Sequence, residues 1–452
     1  MSATTTKPSS AVIVGLGRTG LSCARYLHAL GWKIAVTDTR AQPPELEALR
    51  QLDSRIPVST GGLDIQLLDD ALCVVVSPGV SLNAPFFVEA RGRGLEIVGD
   101  IELFARAVDA PVVGITGTNG KSTVTTLVGR MAARAGIKVR VGGNLGEPAL
   151  DLLTTARADA ERTELYVLEL SSFQLEATCS LDLKTATVLN VTADHLDRYA
   201  SLEDYAIAKA RIFARCDTAV INLDDPLVVA MSVPGQRILG FSLRATIGAD
   251  YAVAAREGGW WLMRRDEPLM AVSQMKIKGL HNAANALAAL ALGEALGLPM
   301  PAMLAELGDF PGLPHRSQWV AEVRGVTYIN DSKGTNVGAT IAAVSGMLGP
   351  LIIIAGGDGK NQDFTPLAEA FRGKVRHTVL IGRDAEAVAR ALKGVGTTEH
   401  AASLEEAVKA AARAAKPGDT VLLSPACASL DMFRDYTHRG AVFTQAVKEL
   451  AA

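Results

Sequence analysis

The chain has 452 residues, which is long enough for about three domains because single hydrophobic cores usually stop growing well below this length. Hydrophobic residues make up 48% and charged residues 21%, a composition typical of an ordered α/β protein. The formal net charge is -3, so the protein has no overall positive field that would attract nucleic acid or an anionic membrane.

The five cysteines are scattered and form no CxxC pair, which predicts reduced thiols rather than disulfides or a zinc site. The first ten residues, MSATTTKPSS, lack the apolar segment of a signal peptide. No apolar run approaches the roughly 18 residues needed to cross a bilayer. The sequence therefore predicts a cytoplasmic protein.

Short apolar runs rich in β-branched residues alternate with helical stretches along the chain, as in parallel sheets with crossover helices. The first region contains AVIVGLG, WKIAVTD, ALCVVVSPG and LEIVGD. The second contains PVVGITG, LYVLELS, TATVLNV and TAVINLD, and the third GVTYIND, PLIIIAGG, HTVLIG and DTVLLSP. We therefore predict three α/β domains: a Rossmann-like domain (residues 1–99), a central P-loop ATPase-type domain (100–312) and a second Rossmann-like domain (313–452).

A glycine-rich loop, GLGRTG, occupies residues 15–20 between a predicted strand and helix, and Asp38 ends the next strand. Glycines at this spacing permit a tight turn and let a phosphate approach the helix N-terminus, and an acidic residue such as Asp38 can bind a ribose diol. Taken alone, the loop fits a nicotinamide or flavin cofactor, another phosphate-bearing ligand, or a purely structural turn.

A second loop, TGTNGKST, occupies residues 116–123 between the strand VVGI and a long helix. Its backbone N–H groups can surround ATP phosphates, Lys121 can neutralise β- and γ-phosphate charge, and the hydroxyl of Ser122 or Thr123 can face magnesium. The spacing departs from GxxxxGK[ST], because Ile115 stands where the first glycine is expected. A structural strand-to-helix turn is the alternative.

Two nucleotide-type loops in succession favour a nucleotide-carrying substrate together with ATP. An NAD-dependent dehydrogenase needs only one such loop, and it would bind NADH without hydrolysing ATP. A P-loop switch is the non-enzymatic alternative, and its partner affinity would depend on nucleotide without any bond being made.

The TGTNGKST loop resembles the shortened ATP loop of the Mur ligases and their folylpolyglutamate synthetase relatives. Other segments similar to this family follow in order along nearly the whole chain: GGNLG, LELSSFQL, NVTADHLDRY, AKARIF, GLHNAANALAALA, PHRSQ, NDSKGTN, GGDGKNQDF and SPACASLDMF. The NDSK form, with SPACASLD, is similar to the members that add D-glutamate.

The resemblance implies an ATP-dependent amide ligase that uses UDP-N-acetylmuramoyl-L-alanine, D-glutamate and ATP and forms an acyl-phosphate. Together with the net charge of -3, the resemblance predicts neither a nucleic-acid nor a membrane partner, and we expect a monomer. The implied ATP contacts come from the loop, the HNAAN segment and the third domain. They are Gly117, Thr118, Asn119, Gly120, Lys121, Ser122, Thr123, Asn282, Asn285, Arg316 and Asp331.

The resemblance also implies two Mg²⁺ sites. Glu169, at the end of LYVLE, and Ser122 are expected to bind the ion shared by the β- and γ-phosphates, although a solvated strand-end glutamate is the alternative. His195 is expected to bind the second ion, although imidazole is an unusual ligand for a hard cation and a capped loop histidine is the alternative. The implied catalytic residues are Lys121, Glu169, His195, Lys209 and Lys333.

Lys209, in AIAKARIF, has the pattern of an exposed helical lysine. The family carbamylates this position with carbon dioxide, which turns an ammonium into an anion whose oxygens suit Mg²⁺. Only a neutral amine reacts, so the resemblance implies a site that favours the neutral amine through desolvation or nearby cations.

The remaining implied contacts are with the two substrates. The UDP substrate is assigned to Arg18, Thr19, Asp38, Thr39, Arg40, Ser77, Gly79, Asn144, Ser171 and His195. D-glutamate is assigned to Thr335, Lys360, Ser429 and Tyr436, the last at a position where the family has a phenyl group.

Overall fold

The structure is a computed structural model that describes residues 9–159, 162–192, 198–244, 248–256, 258–347, 349–360 and 362–451. The chain forms two compact units. The first comprises Met1–Ala254, Met263–Glu267 and Asn285–Leu304, and the second comprises Ala255–Leu262, Pro268–Ala284 and Ala305–Ala452. In the part of the chain described, no helix combines the length and the apolar character needed to cross a membrane.

The first region of the chain is a regular α/β segment. Its elements are β1 (Ser10–Val14), α1 (Arg18–Ala29), β2 (Lys33–Asp38), α2 (Leu46–Leu52), β3 (Val58–Thr60), β4 (Cys73–Val76), α3 (Pro85–Gly92) and β5 (Glu96–Gly99). All five strands are parallel, in the order β3-β2-β1-β4-β5. The chain leaves β1 toward one edge and later returns to β4 on its other side, so a crevice opens at the carboxyl ends of β1 and β4.

The second region contains a larger sheet. Its elements are α4 (Asp100–Ala105), β6 (Val112–Thr116), α5 (Lys121–Arg134), β7 (Val139–Gly143), α6 (Ala149–Ala158), β8 (Leu165–Glu169), α7 (Ser172–Glu176), β9 (Leu183–Val188), α8 (Leu202–Ala210), β10 (Cys216–Asn222), α9 (Pro226–Val229), β11 (Arg237–Ser242), β12 (Tyr251–Arg256), β13 (Gly259–Arg264), β14 (Glu267–Ala271), α10 (Leu280–Ala295) and α11 (Met300–Asp309). The strand order is β14-β13-β12-β11-β10-β9-β6-β8-β7. Strands β6 to β11 pair in parallel, and β6 lies between β9 and β8, so the loop after β6 is flanked by the carboxyl ends of both neighbours.

The third region has a six-stranded sheet. Its elements are β15 (Gln318–Val323), β16 (Val326–Asn330), α12 (Val337–Gly346), β17 (Leu351–Gly356), α13 (Thr365–Phe371), β18 (Val375–Ile381), α14 (Ala385–Ala391), β19 (Thr397–His400), α15 (Leu404–Ala414), β20 (Thr420–Leu423) and α16 (Tyr436–Ala451). The order is β15-β16-β20-β17-β18-β19, with β15 antiparallel to β16. The loops after β16, β20 and β17 therefore leave the same edge of the sheet side by side.

Burial follows the two-residue period of the strands. In β17, Ile353 packs into the core on one face of the third sheet, whereas Ile352 and Ile354 pack into the core on the other face. Three α/β regions were predicted from the sequence, and the fold class is confirmed. The predicted boundaries after residues 99 and 312 stay predictions. Strands β3, β7, β11 to β15 and β19 were not predicted.

Candidate active site

Two of the predicted substrate loops meet in the crevice of the first sheet. Gly15 directly follows β1 and has a φ of 92°, and Ser77 directly follows β4. The Ser77 hydroxyl donates a hydrogen bond to the Gly15 carbonyl at 2.8 Å. A Cβ atom on Gly15 would lie 3.0 Å from the Ser77 Cβ, so glycine is needed for this close approach. Gly79, two residues after Ser77, is exposed at the same end of the sheet.

Asp38 organises this crevice through protein contacts. Its carboxylate accepts hydrogen bonds from the Leu16 amide at 2.6 Å and from the Arg40 side chain at 2.6 and 2.9 Å. Burial alone would raise the pKa of Asp38, but these bonds outweigh it and lower the pKa to about 2. The predicted direct contact of Asp38 with ligand has no support here, since the side chain is 2% exposed and both oxygens are bonded. The exposed residues Thr39 and Arg40 are better placed to touch a ligand.

The crevice is continuous with the central sheet through Arg18. This exposed side chain donates a hydrogen bond from Nη2 to the carbonyl of Gly146, in the GGNLG segment, at 2.7 Å. Asn144 of the same segment donates from Nδ2 to Oε1 of Glu169 at 2.8 Å. Thr19, next to Arg18, is half-buried at the start of α1. Two hydrogen bonds to the GGNLG segment thus connect the first glycine loop with Glu169, the expected magnesium ligand.

Arg198 connects the same two regions and was not predicted as a site residue. Its guanidinium donates to the carbonyls of Pro78 at 2.9 Å and Val80 at 3.2 Å, pairs with Glu176 at 3.2 Å, and lies 3.9 Å from the centroid of the Phe173 ring. Arg198 therefore ties the loop after β4 to α7. Ser171, at the N-cap of α7, forms a capping box with Gln174.

The TGTNGKST loop has the geometry of a phosphate-binding loop. It joins β6 to α5, and Gly120 caps the helix with a φ of 86°. A Cβ atom on Gly120 would lie 2.4 Å from Oδ1 of Asn285, so Asn285, one of the predicted ATP contacts, lies against this loop. Asn190, which was not predicted, holds the loop from the other side by accepting from the Asn119 amide and donating to the Asn119 carbonyl.

Lys121 folds back over its own loop. Its Nζ donates to the carbonyls of Gly117 at 2.9 Å and Thr118 at 3.0 Å, so the charge lies beside the space enclosed by the loop amides. Ser122 is buried and Thr123 half-buried in the first turn of α5, where the helix dipole also favours an anion. The arrangement fits a bound polyphosphate.

Glu169 has the buried, partly unpartnered carboxylate expected of a cation ligand. It ends β8, next to β6 in the sheet, and is 3% exposed. Asn144 binds Oε1, whereas Oε2 has no hydrogen-bond partner among the described residues. A buried carboxylate oxygen without a partner is costly, and a hard cation such as Mg²⁺ would satisfy it. No group of three or more His, Cys, Asp or Glu side chains suited to a metal occurs in the described ranges.

The interpretation of Lys209 as an exposed helical lysine is wrong. The side chain is 1% exposed on α8. Its Nζ donates to the Gly117 carbonyl at 3.1 Å and lies 4.3 Å from the centroid of the Tyr205 ring. Lys209 therefore faces the phosphate-binding loop rather than solvent. His195, predicted to bind magnesium and the UDP substrate, lies outside the described residues.

The second compact unit contains the other predicted ATP contacts. Asp331 follows β16 and accepts from the Ser317 amide at 3.0 Å and from the Ser424 hydroxyl at 2.9 Å. Burial raises the pKa of Asp331 to about 6 despite these bonds. Arg316 is exposed. Asn282, on α10, donates to the Lys278 carbonyl at 2.8 Å.

The predicted D-glutamate residues lie on the three neighbouring loops after β16, β20 and β17. Thr335 is half-buried in the first loop, Ser429 is 3% exposed in the second, and Lys360 is exposed in the third with a φ of 49°. The Nζ atom of Lys333 lies 5.3 Å from the centroid of the Tyr436 ring. Ligands of parallel α/β sheets bind at the carboxyl ends of strands, where these loops are.

Comparison with known proteins covers the same three regions. Family models match residues 9–99 (Mur ligase MurD-like, N-terminal domain), 115–293 (Mur ligase middle domain) and 315–427 (Mur ligase, glutamate ligase domain). Relatives named UDP-N-acetylmuramoylalanine–D-glutamate ligase are 50% identical in Nitrosococcus oceani, with 98% of this chain and 97% of the relative covered, and in Pseudomonas aeruginosa, with 97% and 98% covered.

Two solved structures share the fold at 18% sequence identity. One is UDP-N-acetylmuramate-alanine ligase from Thermotoga maritima, with a TM-score of 0.56 and 97% and 99% of the two chains covered. The other is a pseudomurein peptide ligase type C from Methanothermus fervidus, with a TM-score of 0.52 and 98% and 100% covered. Family models that span most of the sequence and relatives of half-identical sequence agree: the chain belongs to the Mur ligase family.

Proposed function

We propose that this protein is an ATP-dependent ligase that joins D-glutamate to UDP-N-acetylmuramoyl-L-alanine, giving ADP and phosphate in peptidoglycan precursor synthesis. The observation that carries the proposal is 50% identity over nearly the whole chain to relatives with that name. The phosphate-binding geometry around Lys121 supports ATP as the energy source. The cytoplasmic location and the monomeric state stay predictions.

Joining a carboxylate to an amine in water is unfavourable, so the carboxylate must be activated first. In the proposed first step an oxygen of the alanine carboxylate attacks the γ-phosphorus of ATP. An O–P bond forms while the bond from phosphorus to the β,γ-bridging oxygen breaks, and ADP leaves. Lys121 stabilises the charge on the transferring phosphoryl group. Electrostatic stabilisation of this kind is usually the largest single contribution to catalysis.

In the second step the neutral amine of D-glutamate attacks the carbonyl carbon of the acyl-phosphate. The C–N bond forms, the nitrogen loses a proton, and the C–O bond to phosphate breaks as the tetrahedral intermediate collapses. The products are the amide and inorganic phosphate. We assign the two carboxylates of D-glutamate to Thr335, Lys360 and Ser429, with Lys333 and Tyr436 beside them.

Magnesium, when bound, supplies positive charge to the β- and γ-phosphate oxygens. Glu169, through its unpartnered Oε2, and the Ser122 hydroxyl are the residues that would hold it. We also propose a second Mg²⁺ site that uses His195 and a carbamate on Lys209. Both residues come from the family pattern.

Burial supports the carbamate on Lys209. Lys209 is 1% exposed, its Nζ lies at the phosphate-binding loop, and the neutral amine is the form that attacks carbon dioxide. The nitrogen forms a bond to the carbon of CO₂ and releases one proton, which leaves a carbamate anion. Its oxygens would point toward the loop that Lys209 already contacts at Gly117.

Replacing Lys209 with alanine is expected to abolish phosphate release, with partial rescue by formate or acetate, because a small carboxylate can occupy the vacated carbamate position. Lys209→Arg should resist rescue, since its bulk and fixed charge remain. The measurement is phosphate release with and without carboxylate, together with carbon-13 NMR under labelled bicarbonate. Failure of rescue, together with no carbamate signal in the wild-type protein, would contradict this assignment.

The amino-acid substrate is tested by measuring phosphate release with ATP, Mg²⁺, UDP-N-acetylmuramoyl-L-alanine and one amino acid at a time. We expect D-glutamate to exceed L-glutamate by about a hundredfold, because two fixed carboxylates determine where the amine points and a misplacement of about 1 Å costs that much. D-aspartate should also be poor, since one carboxylate would lose its partner. Better use of L-glutamate, L-alanine or a diamino acid would overturn the proposal.

A further inference from the structure

Arg439 is among the largest of the described side chains that are completely enclosed. It belongs to the first turn of α16, three residues after Tyr436, and is 0% exposed. Buried arginines normally pair with a carboxylate, because an isolated charge is expensive to remove from water. Across the described ranges, Arg439 forms no ion pair with a carboxylate.

Its partners are instead backbone carbonyls and one hydroxyl. Nε donates to Ser332 Oγ at 3.0 Å, and Nη2 donates to the Ser332 carbonyl at 2.9 Å and the Cys427 carbonyl at 3.1 Å. Nη1 donates to the carbonyls of Cys427 and Ala428, both at 3.2 Å. An arginine has five N–H donors, so these bonds use its whole hydrogen-bonding capacity.

The acceptors of Arg439 lie in the loops that carry the D-glutamate residues. Ser332 precedes Lys333 in the loop after β16, and Cys427 and Ala428 precede Ser429 in the loop after β20. A Cβ atom on Gly357, in the loop that leads to Lys360, would lie 3.4 Å from Nη1.

Backbone hydrogen bonds also join the same three loops directly to one another. The Ala426 amide donates to the Gly334 carbonyl at 2.9 Å, and Asp358 and Ala428 exchange two hydrogen bonds at 3.1 and 2.8 Å. Ala426 has a φ of 59°, an unusual backbone conformation for a residue with a side chain. The three loops are therefore hydrogen-bonded to one another, and the Arg439 side chain lies against each of them.

We propose that Arg439 is the positioning residue of the D-glutamate site: it fixes the three loops in the geometry that accepts two carboxylates, and its unpaired charge favours a dianionic ligand. The inference rests on the proposed function. Because every donor of Arg439 is already used, it acts through Thr335, Lys360 and Ser429 rather than by touching substrate. Coulombic attraction acts at longer range in a poorly solvated interior than in water, so a buried charge can stabilise a ligand that it does not contact.

The test is a comparison of Michaelis constants in Arg439→Lys and Arg439→Met. The lysine variant keeps the charge but has only three donors, so we expect the KM for D-glutamate to rise about tenfold. The methionine variant loses charge and bonds, and an increase of about a hundredfold is expected. The KM for the UDP substrate should stay within about threefold, since its assigned residues lie outside these three loops.

Phe443→Leu is the matched control. Phe443 lies one turn further along α16, is also 0% exposed, and belongs to an apolar core cluster. We expect it to lower the melting temperature and leave both KM values unchanged, because a smaller folded fraction lowers the apparent kcat without altering affinity. If the arginine variants behave in the same way, the role of Arg439 is only structural and the proposal is wrong.

Ser332→Ala keeps the test decisive if the arginine variants do not fold. It removes the Oγ acceptor of Arg439 and the bond from that hydroxyl to the Tyr436 carbonyl at 2.8 Å. A rise of about three- to tenfold in the D-glutamate KM is expected, and no rise would overturn the inference. If wild-type protein does not use D-glutamate at all, the proposed function fails instead.

Discussion

Replacing Lys121 with alanine is expected to lower phosphate release by about a hundredfold or more, because a group that stabilises transition-state charge typically contributes that much. The Nζ atom lies beside the loop amides, held by the carbonyls of Gly117 and Thr118. When phosphates occupy the loop, the same charge can turn to the β- and γ-oxygens. The loss should therefore appear in turnover rather than in the stability of the fold.

Lys184→Ala is the control for Lys121→Ala. Lys184 is a half-exposed lysine of the same compact unit that pairs with Asp217 at 3.1 Å, and surface pairs of this kind contribute about 0–1 kcal/mol. Circular dichroism and thermal unfolding should be alike in both variants, while only Lys121→Ala loses activity. A Lys121→Ala protein that keeps more than about a tenth of wild-type turnover would contradict the role of this lysine.

The sequence predicted the parts of the fold and the site that depend on local pattern. The strands β1, β6 and β17 were found because parallel strands buried on both faces are continuous apolar runs. The phosphate-binding loop was found because the run TGTNGKST lies between a predicted strand and a predicted helix, and its Gly120 has a positive φ of 86°, which glycine adopts without strain. In each case, the residues that form the pattern lie within a few positions of one another in the chain.

Contacts between distant segments could not be predicted in this way. Arg198 binds carbonyls 118 and 120 residues away, and Arg439 binds Ser332 at a separation of 107 residues. A backbone carbonyl has no signature in the sequence, so nothing distinguished these arginines from ordinary surface arginines. The AIAKARIF pattern alone likewise suggested an exposed Lys209, because Gly117, which Lys209 contacts, lies 92 residues away. Only the family resemblance implied a desolvated site for this lysine.

Asp38 shows how a motif can be recognised while its role stays open. The spacing after GLGRTG predicted a carboxylate at the end of β2, and the structure has it there. Its oxygens, however, bind the Leu16 amide and Arg40. The residue therefore shapes the crevice and orients an arginine, and the pattern alone could not separate this role from direct ligand binding.

The charge on Glu169 should be required for activity but not for folding. Glu169→Gln keeps an oxygen that can accept from Asn144 and replaces Oε2, which has no partner among the described residues, with an uncharged amide. Without magnesium the variant should be as stable as wild type or more so, because a buried unpaired charge has been removed. With ATP and magnesium, phosphate release should fall by about a hundredfold or more, since a group acting on phosphoryl-transfer charge is lost.

Glu102→Gln is the matched control, since Glu102 and Glu169 are buried to the same 3% exposure in the same compact unit. Glu102 differs in that its oxygens accept from the amides of Cys179 and Ser180 and from Arg106. Glu102→Gln should therefore lose stability, because amide donors would face an NH₂ group, and should keep its magnesium dependence.

The two glutamine variants are distinguished by their melting temperatures, measured against magnesium concentration with an ATP analogue present. Wild type and Glu102→Gln should be stabilised as magnesium rises, whereas Glu169→Gln should be stabilised less. An equal magnesium response in Glu169→Gln would show that this carboxylate does not bind the ion.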